Sequence, residues 1–331
     1  MKVMLLARPA PIEKEPLARA ELPVPEPQDH QILIKVLACG TCHTDLHTVE
    51  GDLTLPKLPL VPGHQVVGRV EKSGPGASRF GPGERVGVTW FYSSCGSCRF
   101  CLGERENLCE QARFTGFHDH GGYAEYLVVP ERSAFPVPAV FNDAEATPLL
   151  CGGVIGYRAL RLSEAKPGDR LGLYGFGNSA HIVIQIAVKR GCAVHVFTRS
   201  RNHQELAREL GAAWVGTAEE DPPVRLDSAI IFAPAGPLVH RALQALGRGG
   251  TLALAGITMT RIPEMDYSLI YGERTVRSVA NTTRNDAAEL LREAAEIPVR
   301  TVVETFPLEE ANRVLRMMKE SRLKAGAALI P

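Results

Sequence analysis

Up to about residue 150 the hydrophobic residues come in short runs, 32–37, 66–70, 85–90 and 123–129, separated by turn material such as Gly74-Pro75-Gly76 and Gly81-Pro82-Gly83. Runs of this length between Gly and Pro predict strands joined by tight turns, hence a mostly β, barrel-like domain. From about Lys166 the rhythm changes. Apolar runs at 170–174, 194–197, 228–232, 251–254 and 275–279 alternate with amphipathic stretches at 182–189, 203–210 and 238–246. Strand and helix in alternation predict a parallel sheet with helices on its faces. Two further helices, 285–296 and 308–321, and a small strand, 327–330, complete the pattern, with no internal repeat.

A chain of 331 residues is long for one core and predicts two domains with a ligand-binding cleft between them. Lys plus Arg and Asp plus Glu both number 37, so the formal charge is zero, and no basic run stands out. A nucleic-acid or membrane-surface binder would carry that footprint. The apolar stretch 3–7 runs into a Pro-rich segment without the core of a signal peptide, and nothing approaches the roughly 20 apolar residues that span a bilayer. The expectation is a cytoplasmic protein whose partners are small molecules, neither nucleic acid nor membrane. Eight cysteines in that setting indicate metal or catalytic chemistry rather than a disulfide framework.

Four of them, Cys95, Cys98, Cys101 and Cys109, follow the order C-x-x-C-x-x-C-x7-C, with Gly96 and Gly103 easing the turns. Four thiolates can close a tetrahedral shell around zinc, leaving no open position, which makes a structural role the expectation. An iron–sulfur cluster takes the same ligands, and unconnected buried thiols are the plain alternative.

Three further pieces are weak singly: Cys39-Gly40-Thr41-Cys42-His43-Thr44-Asp45-Leu46-His47, Gly63-His64-Gln65 and Leu150-Cys151-Gly152-Gly153. A lone His after Gly or a lone Cys in an apolar run is more often structural. A fourth piece, 171–181, holds Gly175, Gly177 and Ala180 as G-x-G-x-x-A between a strand and a helix. This is a permitted dinucleotide fingerprint, in which Gly175 makes the turn and Gly177 lets backbone approach a pyrophosphate at the helix N-terminus.

Together these pieces resemble the zinc-containing medium-chain alcohol dehydrogenases over essentially the whole chain, nearest the bacterial members grouped with the cinnamyl alcohol dehydrogenases. The resemblance implies an α/β fold: a GroES-like mostly-β catalytic domain at 1–151 with a structural zinc lobe at about 93–110, a Rossmann doubly wound parallel-sheet domain at 152–281, and a segment at 282–331 returning to the catalytic domain. It implies a catalytic zinc on Cys42, His64 and Cys151, with a fourth position for water or substrate oxygen, and so two zinc ions per chain. Cys39 is then a bystander and Cys192 a core residue. Thr44 would take the alcohol proton and pass it through cofactor ribose to His47, a relay that suits a hydroxyl and a near-neutral imidazole; a solvated loop residue is the plain reading of His47. Asp45 would hold the other nitrogen of His64, and His43 would lie near the pyrophosphate.

Where the family usually has Gly-His-Glu this chain has Gly63-His64-Gln65, so zinc binding is expected to survive with altered ligand exchange. About 20 residues beyond the fingerprint an acid would mark NAD, whereas Arg accommodates the extra phosphate of NADP. Here stands Thr198-Arg199-Ser200-Arg201. Arg199 and Ser200 resemble the phosphate-binding residues of NADP-dependent relatives and favour NADP(H) over NAD(H); the plain reading is a basic loop that tolerates NAD. The basic residue that many relatives carry before the last strand is replaced by Ala327, for which Lys324 is the nearest substitute. By resemblance the substrate pocket includes Leu53, Trp90, Phe91 and Phe117. Leu53, where many relatives are aromatic, leaves room for medium-chain or aromatic alcohols, oxidised to aldehyde or ketone. A homo-oligomer, tetramer or dimer, is expected. Three alternatives stand beside this reading: a polyol dehydrogenase, a zinc-free quinone reductase relative, and a zinc-ribbon nucleic-acid binder.

Overall fold

An eleven-residue strand, Gln31–Thr41, organises the first of two units. The computed structural model describes residues 1–323 and 326–331. One unit comprises Met1–Cys151, Thr282–Ala295 and Arg300–Pro331, the other Gly152–Asn281 with Glu296–Val299. In the first unit the long strand pairs antiparallel with Gln65–Ser73, with Tyr126–Pro130 along its first half and with Gly326–Ile330 at its end. Arg85–Val88, Ala134–Pro136 and Val303–Pro307 extend the sheet to seven strands. Register shifts between Leu33 and Ile34 and between Val36 and Ala38 bend the long strand, as an extra residue on one strand does.

Ile32, Ile34 and Val36 on that strand pack with Val66, Val86 and Val88 in one core, which also takes in Leu308, Ala311, Val314 and Leu315. The last three lie at the i, i+3, i+4 spacing of one helix face on Ala311–Lys319. Each buried Val or Leu contributes about 1.5–3 kcal/mol, enough to hold the C-terminal segment on this unit. The single helix expected at 308–321 is shorter: Leu308–Glu310 is a 3-10 turn, and left-handed Ser321 follows the end of the helix. The apolar stretch near the start forms the strand Lys2–Leu6, antiparallel to Leu17–Glu21.

In the second unit six parallel strands run in the order Trp214–Gly216, Ala193–Phe197, Arg170–Tyr174, Leu226–Ile231, Leu246–Leu254 and Thr275–Ser278. The chain winds outward from Arg170–Tyr174 in one direction, then outward from Leu226–Ile231 in the other. Nucleotides bind such doubly wound sheets at the carboxyl ends of the strands beside this reversal. Two elements lie outside the pattern of the sequence, the strand Trp214–Gly216 and the helix Gly152–Leu162. Gly156 lets that helix lie close to Asn178–Lys189, since a methyl group there would stand 2.6 Å from Val183 Cγ2. Among the described residues no helix is long and apolar enough to cross a membrane.

Candidate functional site

Cys42 follows the long strand and caps the helix His43–Glu50. Its Sγ accepts the Thr44 N–H at 3.3 Å, and its own N–H donates to Asp45 Oδ2 at 2.9 Å. His64 follows Gly63, which sits at φ +94 with the Tyr123 ring so close that a methyl group would stand 2.4 Å from Cδ1. Only glycine meets both demands. Cys151 closes the turn Thr147–Leu150.

These elements converge. Cys42 Sγ lies 3.4 Å from His64 Nε2 and 3.8 Å from Cys151 Sγ, and His64 Nε2 lies 3.3 Å from Cys151 Sγ. Sulfur and nitrogen ligands of a tetrahedral zinc, at about 2.3 and 2.0–2.1 Å from the ion, would stand about 3.6–3.8 Å apart, so the three donors fit the ion. Asp45, 2% exposed, accepts from His64 Nδ1 at 3.0 Å and thereby turns Nε2 towards the sulfurs. The Cys151 thiol and then burial push the Cys42 pKa well above its ordinary value. Burial pulls His64 down, but the Asp45 carboxylate and the Cys42 sulfur outweigh it and push it up to about 10. Two thiols beside an imidazole backed by a carboxylate are the donor set of a divalent cation.

The second cluster is local. Cys95 Sγ lies 3.8 Å from Cys101 Sγ and 3.5 Å from Cys109 Sγ, and Cys98 Sγ lies 3.6 Å from Cys101 Sγ. Backbone N–H groups of Ser97 and Cys98 lower the Cys95 pKa to about 6. All eight cysteines are free thiols, and Cys39 and Cys192 are buried apart from both clusters.

In the nucleotide-type unit Gly175 has φ +89 and stands against Ala233, 3.0 Å from where a methyl group would be, so the turns after two neighbouring strands meet there. Gly177 caps the helix Asn178–Lys189 and has open space where a side chain would be, the room that a close-lying phosphate needs. Ala180 is fully buried in the first turn of that helix.

Comparison with known proteins agrees with both halves. Residues 28–139 match the alcohol dehydrogenase GroES-like domain, and residues 180–296 match the zinc-binding dehydrogenase domain. "Probable alcohol dehydrogenase AdhA" of Mycobacterium tuberculosis is 45% identical over 100% of this chain and 97% of its own. The chain belongs to the zinc-containing medium-chain alcohol dehydrogenase family. An alcohol dehydrogenase of Geobacillus stearothermophilus is 35% identical over 96% of each chain. The solved structure of a cinnamyl alcohol dehydrogenase from Sorghum bicolor superposes with a TM-score of 0.89 at 27% identity, covering 99% of this chain and 97% of the other. The protein is therefore an NAD(P)-dependent alcohol dehydrogenase with a GroES-like and a Rossmann-like domain, and the two thiol-rich clusters accord with a zinc-binding family.

Around the three-donor cluster of this dehydrogenase, Trp90 meets the His64 ring edge-on at 4.9 Å and Phe117 lies 5.6 Å from Trp90. Phe114, which no motif in the sequence singles out, stacks on Trp90 at 5.2 Å. Phe91 is 2% exposed, packed on Phe114 and beneath the Arg284 guanidinium at 5.0 Å. Leu53 is half-buried in the loop after the helix His43–Glu50.

Thr44 is half-buried, and among the described residues its hydroxyl has no hydrogen-bond partner. His47 belongs to the helix rather than to a loop, and its Nδ1 lies 2.7 Å from Asp52 Oδ2. His43 is exposed at the start of that helix. Gln65 is 4% exposed, and among the described residues its buried Nε2 has no partner. Arg199 and Ser200 are exposed after the strand Ala193–Phe197, and Ser200 caps the helix Arg201–Glu209 by accepting the His203 N–H at 3.5 Å. Ala327 is buried in the strand Gly326–Ile330, while Lys324 lies outside the described residues.

Proposed function

We propose that this alcohol dehydrogenase holds two zinc ions per chain, one on Cys42, His64 and Cys151 for chemistry and one on Cys95, Cys98, Cys101 and Cys109 for structure. The observation that carries the reading is the three-donor cluster, whose 3.3–3.8 Å separations suit zinc and whose donor count leaves one position open. When bound there, zinc supplies a Lewis acid that acidifies an alcohol hydroxyl and polarises a carbonyl. Thr44, with its unpartnered hydroxyl, accepts the alcohol proton. His47, three residues further on the same helix face and paired with Asp52, exchanges protons with solvent. Trp90 and Phe117 exclude water and bind the substrate's apolar part, and half-buried Leu53 leaves room for medium-chain or aromatic alcohols.

For the cofactor, Gly175, Gly177 and Ala180 receive the pyrophosphate. Arg199 and Ser200, at the N-terminus of Arg201–Glu209, favour the extra phosphate of NADP(H). The open edge strand Thr275–Ser278, with exposed Val276, supports a homo-oligomer, dimer or tetramer. Eight free thiols support a cytoplasmic setting.

The test is metal analysis combined with initial rates over an alcohol and aldehyde panel, with both cofactors and with and without a zinc chelator. Expected are close to two zinc ions per chain, loss of activity on chelation, a higher kcat/KM with NADP⁺ than with NAD⁺, and kcat/KM rising from ethanol to butanol or benzyl alcohol. Zinc near one ion per chain, or activity that survives full chelation, overturns the metal assignment. A flat or falling series overturns the substrate class.

A further inference from the structure

The turn that carries Phe117 is closed by an ion pair that the chemistry above leaves unused. The turn follows the short strand Arg113–Phe114, which pairs antiparallel with Phe91–Ser93. Its Thr115 N–H donates to Trp90 O at 2.8 Å. Gly116, at φ +70, lies so near the residue before His64 that a methyl group there would stand 2.7 Å from Gly63 O. The turn is thus bound to Trp90 and packed on the segment that delivers His64.

At its base the turn folds back on itself. The His118 N–H donates to Phe114 O at 2.9 Å, the Gly116 N–H to Asp119 O at 2.9 Å, and the Phe114 N–H to His118 Nδ1 at 3.2 Å. Across the same base Arg113 Nε donates to Asp119 Oδ2 and Arg113 Nη2 to Asp119 Oδ1, both at 2.9 Å. Two parallel bonds between planar groups fix direction as well as distance. Arg113 is half-exposed, and a pair so open to water adds little to overall stability. Its effect is local. Only residues 114–118 lie between the partners, and among them the Phe117 ring stands 5.6 Å from Trp90 and 5.0 Å from His118.

We propose that the Arg113–Asp119 pair is a clasp that holds Phe117 against Trp90, which makes both partners positioning residues for the size of alcohol that the enzyme accepts. With the clasp made, the apolar wall is fixed and rewards each added carbon. With it broken, Phe117 moves and the outer carbons of a longer substrate lose cover, while Cys42, His64 and Cys151 stay in place on other segments. This inference deepens the reading of Trp90 and Phe117 as the substrate wall and rests on it.

The test uses Asp119→Asn, Arg113→Lys and the double variant in the full-length, zinc-loaded enzyme. Lys keeps the charge but has no planar fork. The KM for butanol and benzyl alcohol should rise about fourfold, the value of one methylene losing cover, with kcat and the KM for ethanol moving much less. The double variant should lose no more than either single one, as for two partners of one contact. An independent readout comes from 5-fluorotryptophan, which gives one ¹⁹F line for each of the two indoles, Trp90 and Trp214, assigned by Trp214→Phe. The Trp90 line should shift and the Trp214 line should not. An unmoved Trp90 line overturns the clasp, as do losses that simply add in the double variant. If the Trp90 line moves but KM rises equally for every alcohol, or for none, the reading of Trp90 and Phe117 as the substrate wall falls, and the specificity role with it.

Discussion

The four-cysteine lobe draws Cys95, Cys98, Cys101 and Cys109 from one short stretch, and the Cys95 sulfur is met by backbone N–H groups. The other cluster draws Cys42, His64 and Cys151 from three separate segments and sets a buried carboxylate behind the imidazole. Local backbone donors favour thiolates wherever the loop forms. In the other cluster the Cys42 thiol is pushed the opposite way by its neighbour Cys151 and by burial, so its donors remain poised only because the sheet, a helix N-terminus and Asp45 hold them together. A site assembled by its own loop suits a brace. One assembled by the whole domain can carry an open position and a defined proton acceptor.

Exchanging the fates of the two clusters is the sharpest way to break this contrast. Cys151→Ser should lower kcat/KM by at least about a thousandfold, roughly 4 kcal/mol of lost transition-state stabilisation, and remove one zinc ion with little change in melting temperature. The double change Cys98→Ser and Cys101→Ser should do the reverse. About 2–3 kcal/mol of lost stability would lower the melting temperature by about 5–10 °C, while activity per folded molecule stays within about twofold. If the lobe variant lost activity without losing stability, the division of roles would fall.

Arg199→Ala touches neither cluster and should raise KM for NADP⁺ about tenfold, the value of one charge-assisted contact, with NAD⁺ kinetics nearly unchanged and both zinc ions retained. An equal change for both cofactors would remove the phosphate role. The smallest effect is expected for Leu53→Phe. Each methylene that no longer finds apolar cover is worth about 0.8 kcal/mol, so the rise in kcat/KM from ethanol to butanol should flatten by about fourfold per carbon displaced.

The same contrast governs how much the sequence reveals by itself. The lobe is legible because C-x-x-C-x-x-C-x7-C is a local spacing, whereas no spacing joins Cys42, His64 and Cys151; only resemblance to a family brings that set together. Strands and helices with strong periodicity, such as Arg170–Tyr174 and Arg284–Glu296, match the hydrophobic pattern closely. The helix Gly152–Leu162 is not legible because its glycines argue against helix locally, while close packing on Asn178–Lys189 decides the matter. The hydrophobic pattern makes Tyr123 the start of a strand and no more. Nothing local says that its ring would lie against Gly63, directly before His64.

The pairing of Gly326–Ile330 with Gln31–Thr41 also bears on how the enzyme is made. Ala327 lies opposite Thr41, and its carbonyl accepts the Thr41 hydroxyl at 3.3 Å, one residue before Cys42. Domains that are contiguous in sequence can fold in turn as the chain emerges from the ribosome. Here the end of the strand that leads into Cys42 lacks its Gly326–Ile330 neighbour until the entire nucleotide-type unit has been synthesised. The support of the strand that delivers Cys42 thus comes from the far end of the chain, whereas the lobe has all four cysteines once residue 109 has appeared.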